Sequence, residues 1–175
     1  MSDFAHRLPI DQVRDGDRID FSADDAELAA IAGRLGLLAL DRFDAHAVLS
    51  REGPKVRATG RIKASLEQAC VATGDPCPAH VDEPFEILFL PEPRVGRADE
   101  EIELGSGELD TMFHDGSAIE LGSAIVDSLA LALDPYPRSA GADAALKEAG
   151  VLSEEEASPF AALAALKSKL GGSGP

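Results

Sequence analysis

The sequence has no tryptophan and only one tyrosine, beside 7 phenylalanines. Any core must therefore be mainly aliphatic, and at 45% apolar residues the chain has enough material to build one. Two cysteines are too few for a disulfide framework. No apolar run approaches the roughly 18 residues that a membrane span needs. The opening M-S-D-F-A-H-R-L-P-I lacks the basic start and apolar run of a secretory signal, so a reducing cytoplasm is the expected location. Also missing are a P-loop, a G-x-G-x-x-G after a strand, a G-x-S-x-G elbow, an H-E-x-x-H pair and a calcium loop, for which the cluster Asp99 to Glu103 has the wrong spacing. Basic residues are scarce as well: 16 Lys and Arg stand against 32 Asp and Glu, for a net charge of −16. The first 70 residues are nearly balanced and the excess falls almost entirely after them. Such a chain is repelled by nucleic acid and membrane at long range and favours basic partners, so any RNA contact must come from a local patch in the first half.

What is present is clear periodicity. From Leu121, the residues Ala124, Ile125, Leu129, Ala132 and Leu133 fall on one helical face, with only Ser123, Asp127 and Asp134 polar on the other. A helix so apolar is expected to be the central core element, stopped by Pro135 and Pro137. A second, amphipathic helix is expected over residues 24–34, capped by Ser22 and closed by Gly36. The odd positions Leu37, Ala39, Asp41, Phe43, Ala45, Ala47 and Leu49, all but one apolar, and the even positions Val56, Ala58, Gly60, Ile62, Ala64, Leu66, Gln68 and Cys70, alternate on either side of Arg51–Pro54. Period-two patterning of that length predicts a long antiparallel hairpin, with a bulge or bend at Gly60. Val81, Phe85, Ile87 and Phe89 predict a further strand, with Pro84 at an edge or bulge. Phe4–Ile10 and Arg18–Phe21 read as short strands around the turn Asp15–Asp17. Residues 91–116 read as a polar loop containing a possible short strand at Glu100–Leu104, and Ser158–Leu170 as a short terminal helix. The expectation is an α+β core over residues 1–138, an antiparallel sheet with a long central hairpin against two helices, followed by a partly helical tail over 139–175.

If the even positions of the second hairpin arm face inward, Lys55, Arg57, Arg61 and Lys63 share the outer face, with Arg51 at the turn. Two readings stand: a patch for phosphate or an acidic partner, or a solvated face, its cations paired with Asp41, Asp44 and their neighbours. No aromatics interleave, which argues against base stacking. Cys70, Cys77 and His80 are spaced C-x6-C-x2-H, which does not fit a zinc knuckle and supplies no fourth ligand. The four histidines, His6, His46, His80 and His114, are scattered, and His114-Asp115 reads either as an acid/base pair or as a solvated turn. Nothing here calls for a catalytic residue, a metal, a cofactor or a small-molecule substrate. Tyr136, between two prolines, either caps the core or marks a docking surface with Arg138.

Three stretches resemble the YceD family, also described as domain of unknown function 177, in its α-proteobacterial form. They are Gly60–Thr73 with Pro78–Phe85, the helix and exit Leu121–Arg138, and Pro159–Lys167. Its signature positions here are Gln68, Cys70, Asp127, Pro135, Tyr136, Pro137 and Arg138. The family usually has a glutamate where Asp127 stands and, in other branches, a second cysteine near Cys70, where this chain has Thr73. The resemblance implies a non-enzymatic role in the accumulation of large-subunit ribosomal RNA, with rRNA precursor or a basic ribosomal protein as partner. An acidic chaperone for such a protein with no RNA contact is the alternative. A small metal-dependent or cysteine enzyme built on Cys70, Cys77, His80 or His114 is the weaker one.

Overall fold

The computed structural model describes residue 4 and residues 6–92 and 110–151. The expected strand at Glu100–Leu104 and helix at Ser158–Leu170 lie outside the described residues. The hairpin forms as the alternation predicts. Strand β3 (Ala39–Glu52) pairs antiparallel with β4 (Lys55–Ala69), from Ala39 opposite Glu67 to Glu52 opposite Lys55. Its two-residue turn places Gly53 at φ 59°, followed by a proline that fixes a negative φ. That sign pattern is the one a type II′ hairpin turn requires, with glycine first.

The expected bulge at Gly60 is not found. Register is unbroken there, and the slip lies between Leu40 and Arg42. Asp41 is the extra residue, exposed, while Leu40 takes the inward place. The one polar member of the odd-numbered apolar row is thereby explained. Gly60 serves a different need: a Cβ there would sit 1.9 Å from the His46 carbonyl oxygen and 2.8 Å from Cζ of Phe85, directly opposite on the next strand.

That next strand, β5 (Pro76–Pro91), is longer than its apolar alternation suggests and pairs antiparallel with β4 along Val56–Ala69. Pro76, Pro78 and Pro84 share one parity in a continuous register, so their missing N–H groups all fall on the side away from β4. Pro84 does mark an edge. Beyond it, β6 (Asp110–His114) runs parallel to the end of β5, in a stretch that reads as loop because five residues of mixed polarity carry no alternation of their own. With β2 (Arg18–Ser22) on the other side, the sheet order is β2-β3-β4-β5-β6. The first strand, β1 (Arg7–Pro9), does not join β2 across Asp15–Asp17. It pairs with the distant β7 (Ala118–Glu120) in a separate two-stranded ribbon, a long-range partnership with no local signal.

Helix α1 (Asp25–Leu35) is capped by Asp24 rather than Ser22. The Asp24 carboxylate accepts from the Glu27 N–H at 2.9 Å and the Glu27 carboxylate from the Asp24 N–H at 3.0 Å, a full capping box. Ser22 ends β2 instead and donates to Asp44. Helix α2 (Leu121–Ala132) is the core element the periodicity demands, with Leu121, Ile125 and Leu129 wholly buried. α1 lies against β3 and α2 against β5, on the face of the sheet that carries Phe43, Leu49, Ile62 and Ile87, and all join one cluster. The few aromatics are concentrated: Phe4 packs edge-on to Phe43 at 5.3 Å and against Phe21 at 5.8 Å. A short helix, α3 (Ala142–Glu148), follows α2 within the segment read as tail. The result is an α+β fold with one covered and one open sheet face.

Candidate functional site

The open face carries the cationic row. Lys55, Arg57, Arg61 and Lys63 are exposed at odd positions of β4 while Val56, Ala58, Ile62, Ala64 and Leu66 are buried. The register of β5 sets carboxylates beside them. Arg57 donates to Glu86 at 2.7 Å, Arg61 to Asp82, and Lys63 lies 3.9 Å from the same Asp82. The Arg61 hydrogen bond, reinforced by the nearby Lys63 charge, holds the Asp82 carboxyl below the usual range although burial opposes it. On the β3 side, partial burial raises Asp44, but hydrogen bonds from Ser22 and Arg42 outweigh this and bring it below its ordinary value. Exposed pairs of this kind contribute roughly 0–1 kcal/mol each, yet together they set a carboxylate against Arg57, Arg61 and Lys63. Arg51 is removed from it altogether: its guanidinium donates to the carbonyls of Ile10, Val13 and Gly53 and clamps the hairpin turn to the start of the chain.

His114 serves the same turn. It is buried, its Nδ1 accepts from the Gly116 N–H at 3.0 Å and its Nε2 donates to the Pro54 carbonyl at 2.9 Å. Both ring nitrogens are committed to backbone. Strand parity also separates the C-x6-C-x2-H residues, since His80 faces outward with Ser65 whereas Cys77 stands opposite inward-facing Gln68. Among the described residues no three His, Cys, Asp or Glu side chains converge as a metal site would require.

The residues that distinguish the sequence meet elsewhere, at the end of the sheet where α2 exits. Gln68 Nε2 donates to the Asp134 carbonyl at 2.9 Å, and the Val71 N–H to the Pro137 carbonyl at 2.9 Å. The Ser139 N–H points at Cys70 Sγ at 3.3 Å, and the Thr73 hydroxyl lies 3.3 Å from that of Ser139. The β4–β5 turn, Cys70–Asp75, is in this way sewn to the segment Asp134–Ser139. Pro137 is buried in the seam while Tyr136 stands out at 73% exposure, its N–H held by the Asp134 carboxylate at 2.9 Å. Arg138 is tied to Asp143 of α3 at 3.2 Å. Asp127 belongs to a different contact. It receives a hydrogen bond from Arg34, whose other nitrogen donates to Ser123 at 3.2 Å, so the thin polar stripe of α2 is where α1 is fastened to it. Because the pair is about half exposed, Asp127→Ala is expected to cost no more than about 1 kcal/mol in a denaturant titration.

The seam polarises Cys70. Hydrogen bonds from the Ser139 hydroxyl, then its N–H, and from the Thr73 hydroxyl favour the thiolate and bring its pKa down from 9.0 to about 6, against the opposing effect of burial. Burial pushes the Cys77 thiol up, and the adjacent Cys70 adds to that. A depressed acid stabilises the fold above its unfolded value and loses that contribution as pH falls through the folded one. Stability from Cys70 is therefore expected to fall as pH drops from about 9 to about 6. Ultraviolet thiolate absorbance should show a step near pH 6 that vanishes in Cys70→Ser and moves upward in Ser139→Ala.

Two helices on one face of the larger sheet, an open charged face, and distinctive residues gathered in a seam define an α+β protein. Residues 58–167, well over half of the chain, match the model of a family described as Large ribosomal RNA subunit accumulation protein YceD, and the chain belongs to that family. The match takes in β4 from Ala58 onward, the seam and α3, and contains the three stretches that carry the resemblance. No curated protein and no solved structure matches this chain. Membership supports a ribosome-related role. No helix among the described residues is long and apolar enough to cross a membrane.

Proposed function

We propose that this protein is a non-enzymatic accessory factor of large-subunit ribosome assembly in the cytoplasm, and that it acts by holding a basic ribosomal protein without touching RNA itself. The ribosome-related role that the family match supports is the ground for the assembly reading. What favours protein over RNA as the direct contact is the pairing of Arg57, Arg61 and Lys63 with Glu86 and Asp82, on a chain of net charge −16. A polyanion gains little from cations already matched by carboxylates, while the acidic excess after residue 70 attracts a basic chain.

The experiment is ultraviolet crosslinking in growing cells, followed by detection of RNA attached to the purified protein. No direct RNA adduct is expected, and neutralising Arg57, Arg61 and Lys63 to glutamine should leave co-sedimentation with large-subunit precursors within about twofold. An RNA adduct mapping to β4, with co-sedimentation lost in the triple variant, would instead make the open face an rRNA-binding surface.

A further inference from the structure

Leu38, Val71, Leu131 and Tyr136 are 52%, 55%, 73% and 73% exposed, a concentration of large apolar side chains that a soluble surface does not need. Val71 and Tyr136 belong to the two segments joined in the seam, and Leu38 and Leu131 to the segments that run into it. The Leu38 N–H bonds to the carbonyl of Glu67, beside Gln68. Gln68 reaches the Asp134 carbonyl, three residues beyond Leu131 at the end of α2. Tyr136 and Pro137 follow, and Pro137 is bonded to Val71. The same segments carry the carboxylates of Asp75 and Asp134, the first accepting from the Thr73 hydroxyl at 2.7 Å and the second from the Tyr136 N–H at 2.9 Å, and Glu67 stands next to Gln68. The one cation of the segment, Arg138, is taken up by Asp143.

We propose that this end of the molecule is the docking surface for a segment of a basic protein, in which Lys or Arg residues flank large apolar anchors. Charge complementarity selects that occupant: exposed apolar side chains on segments that carry carboxylates, in a chain of net charge −16, attract a cationic segment and repel polyanions. Tyr136 is the anchor. Its neighbouring prolines restrict the backbone, the Asp134 carboxylate fixes its N–H, and Pro137 is buried, so little ordering entropy is lost when the ring is covered. Aromatic residues held ready in this way are the usual dominant contributors at interfaces. The inference rests on the assembly-factor reading and names the surface through which it works.

The test places a photo-crosslinking amino acid at position 136 of the full chain, with a control at Thr59 on the open face, and uses total protein and RNA extracted from large ribosomal subunits as the probe. The expected result is an adduct at 136, absent at 59, to a basic protein of the subunit. A photoreactive group at Val71 should capture the same protein, and Leu131→Ser and Asp134→Lys should each reduce that capture roughly tenfold or more. High salt should weaken it further. An adduct to RNA, to a second copy of this chain, to its own residues 152–175, or to nothing would overturn the proposal. Sedimentation of the untagged chain with large-subunit precursors separates the two failures. If it co-sediments while 136 captures no basic protein, only the docking surface is wrong; if it does not co-sediment, the assembly reading goes as well.

Discussion

Gly60→Ala is expected to lower the stability of the protein by at least about 3 kcal/mol, at or beyond the upper end of ordinary overpacking. The added methyl would lie 1.9 Å from the carbonyl oxygen of His46 and 2.9 Å from its carbon, both backbone atoms of the paired strand. Neither can rotate away, and Phe85 Cζ at 2.8 Å closes the remaining direction. Relief requires β3 and β4 to separate at the middle of their ladder, where Ala47 faces Gly60, or the Phe85 ring and β3 to move together. In a thermal melt this corresponds to a fall in Tm on the order of 10 °C. A companion Phe85→Ala, Gly60→Ala double variant should recover little, because the backbone obstruction remains. A loss under 1 kcal/mol for the single variant would mean that the strands are not held as closely as described.

Two neighbouring leucines of α2 should give opposite results. Leu129 is wholly buried, and Leu129→Ala is expected to cost about 2–5 kcal/mol through lost burial and the cavity left against the sheet. Leu131, two residues on and 73% exposed, should tolerate Leu131→Ser within about 0.5 kcal/mol. Function should divide the other way. A Leu131→Ser protein folds as before but loses its hold on a basic partner, whereas any functional loss in Leu129→Ala should track the unfolded fraction. Denaturant titration beside the crosslinking assay reads both. If Leu131→Ser proved as destabilising as Leu129→Ala, the exposed end of α2 would be core and not surface.

The hairpin and the buried face of α2 were legible in the sequence because both are set by local periodicity: apolar residues at every second or every third-to-fourth position declare their own geometry. Even the bulge left a trace, since Leu40 and Phe43 are spaced by three where a regular strand would space them by two. The parallel strand β6 and the β1–β7 ribbon were not legible. Asp110–His114 becomes a strand only through the end of β5, and Arg7–Pro9 finds its partner more than a hundred residues away. The cationic row on β4 was foreseen, and its pairing with carboxylates was one of the two readings open to it. Of the expected partners, Asp44 does lie opposite Lys63, but the ion pairs of the row are made with Asp82 and Glu86, which the register brings from β5. The signature residues were recognisable one by one. Their meeting was invisible, because the bonds from Gln68 to Asp134 and from Val71 to Pro137 join segments far apart in the chain. Asp127, the polar exception on a buried helix, is accounted for by Arg34 of α1, a pairing that needs the packed helices to exist first.

The most direct measurement of the central claim is the ratio of large- to small-subunit ribosomal RNA in cells depleted of this protein, with rescue by the intact chain and by the Tyr136→Ser variant. The account predicts a fall in the ratio on depletion, recovery with the intact chain, and little recovery with Tyr136→Ser at equal protein level. An unchanged ratio on depletion would contradict the assembly role. Full recovery with Tyr136→Ser would contradict the docking surface.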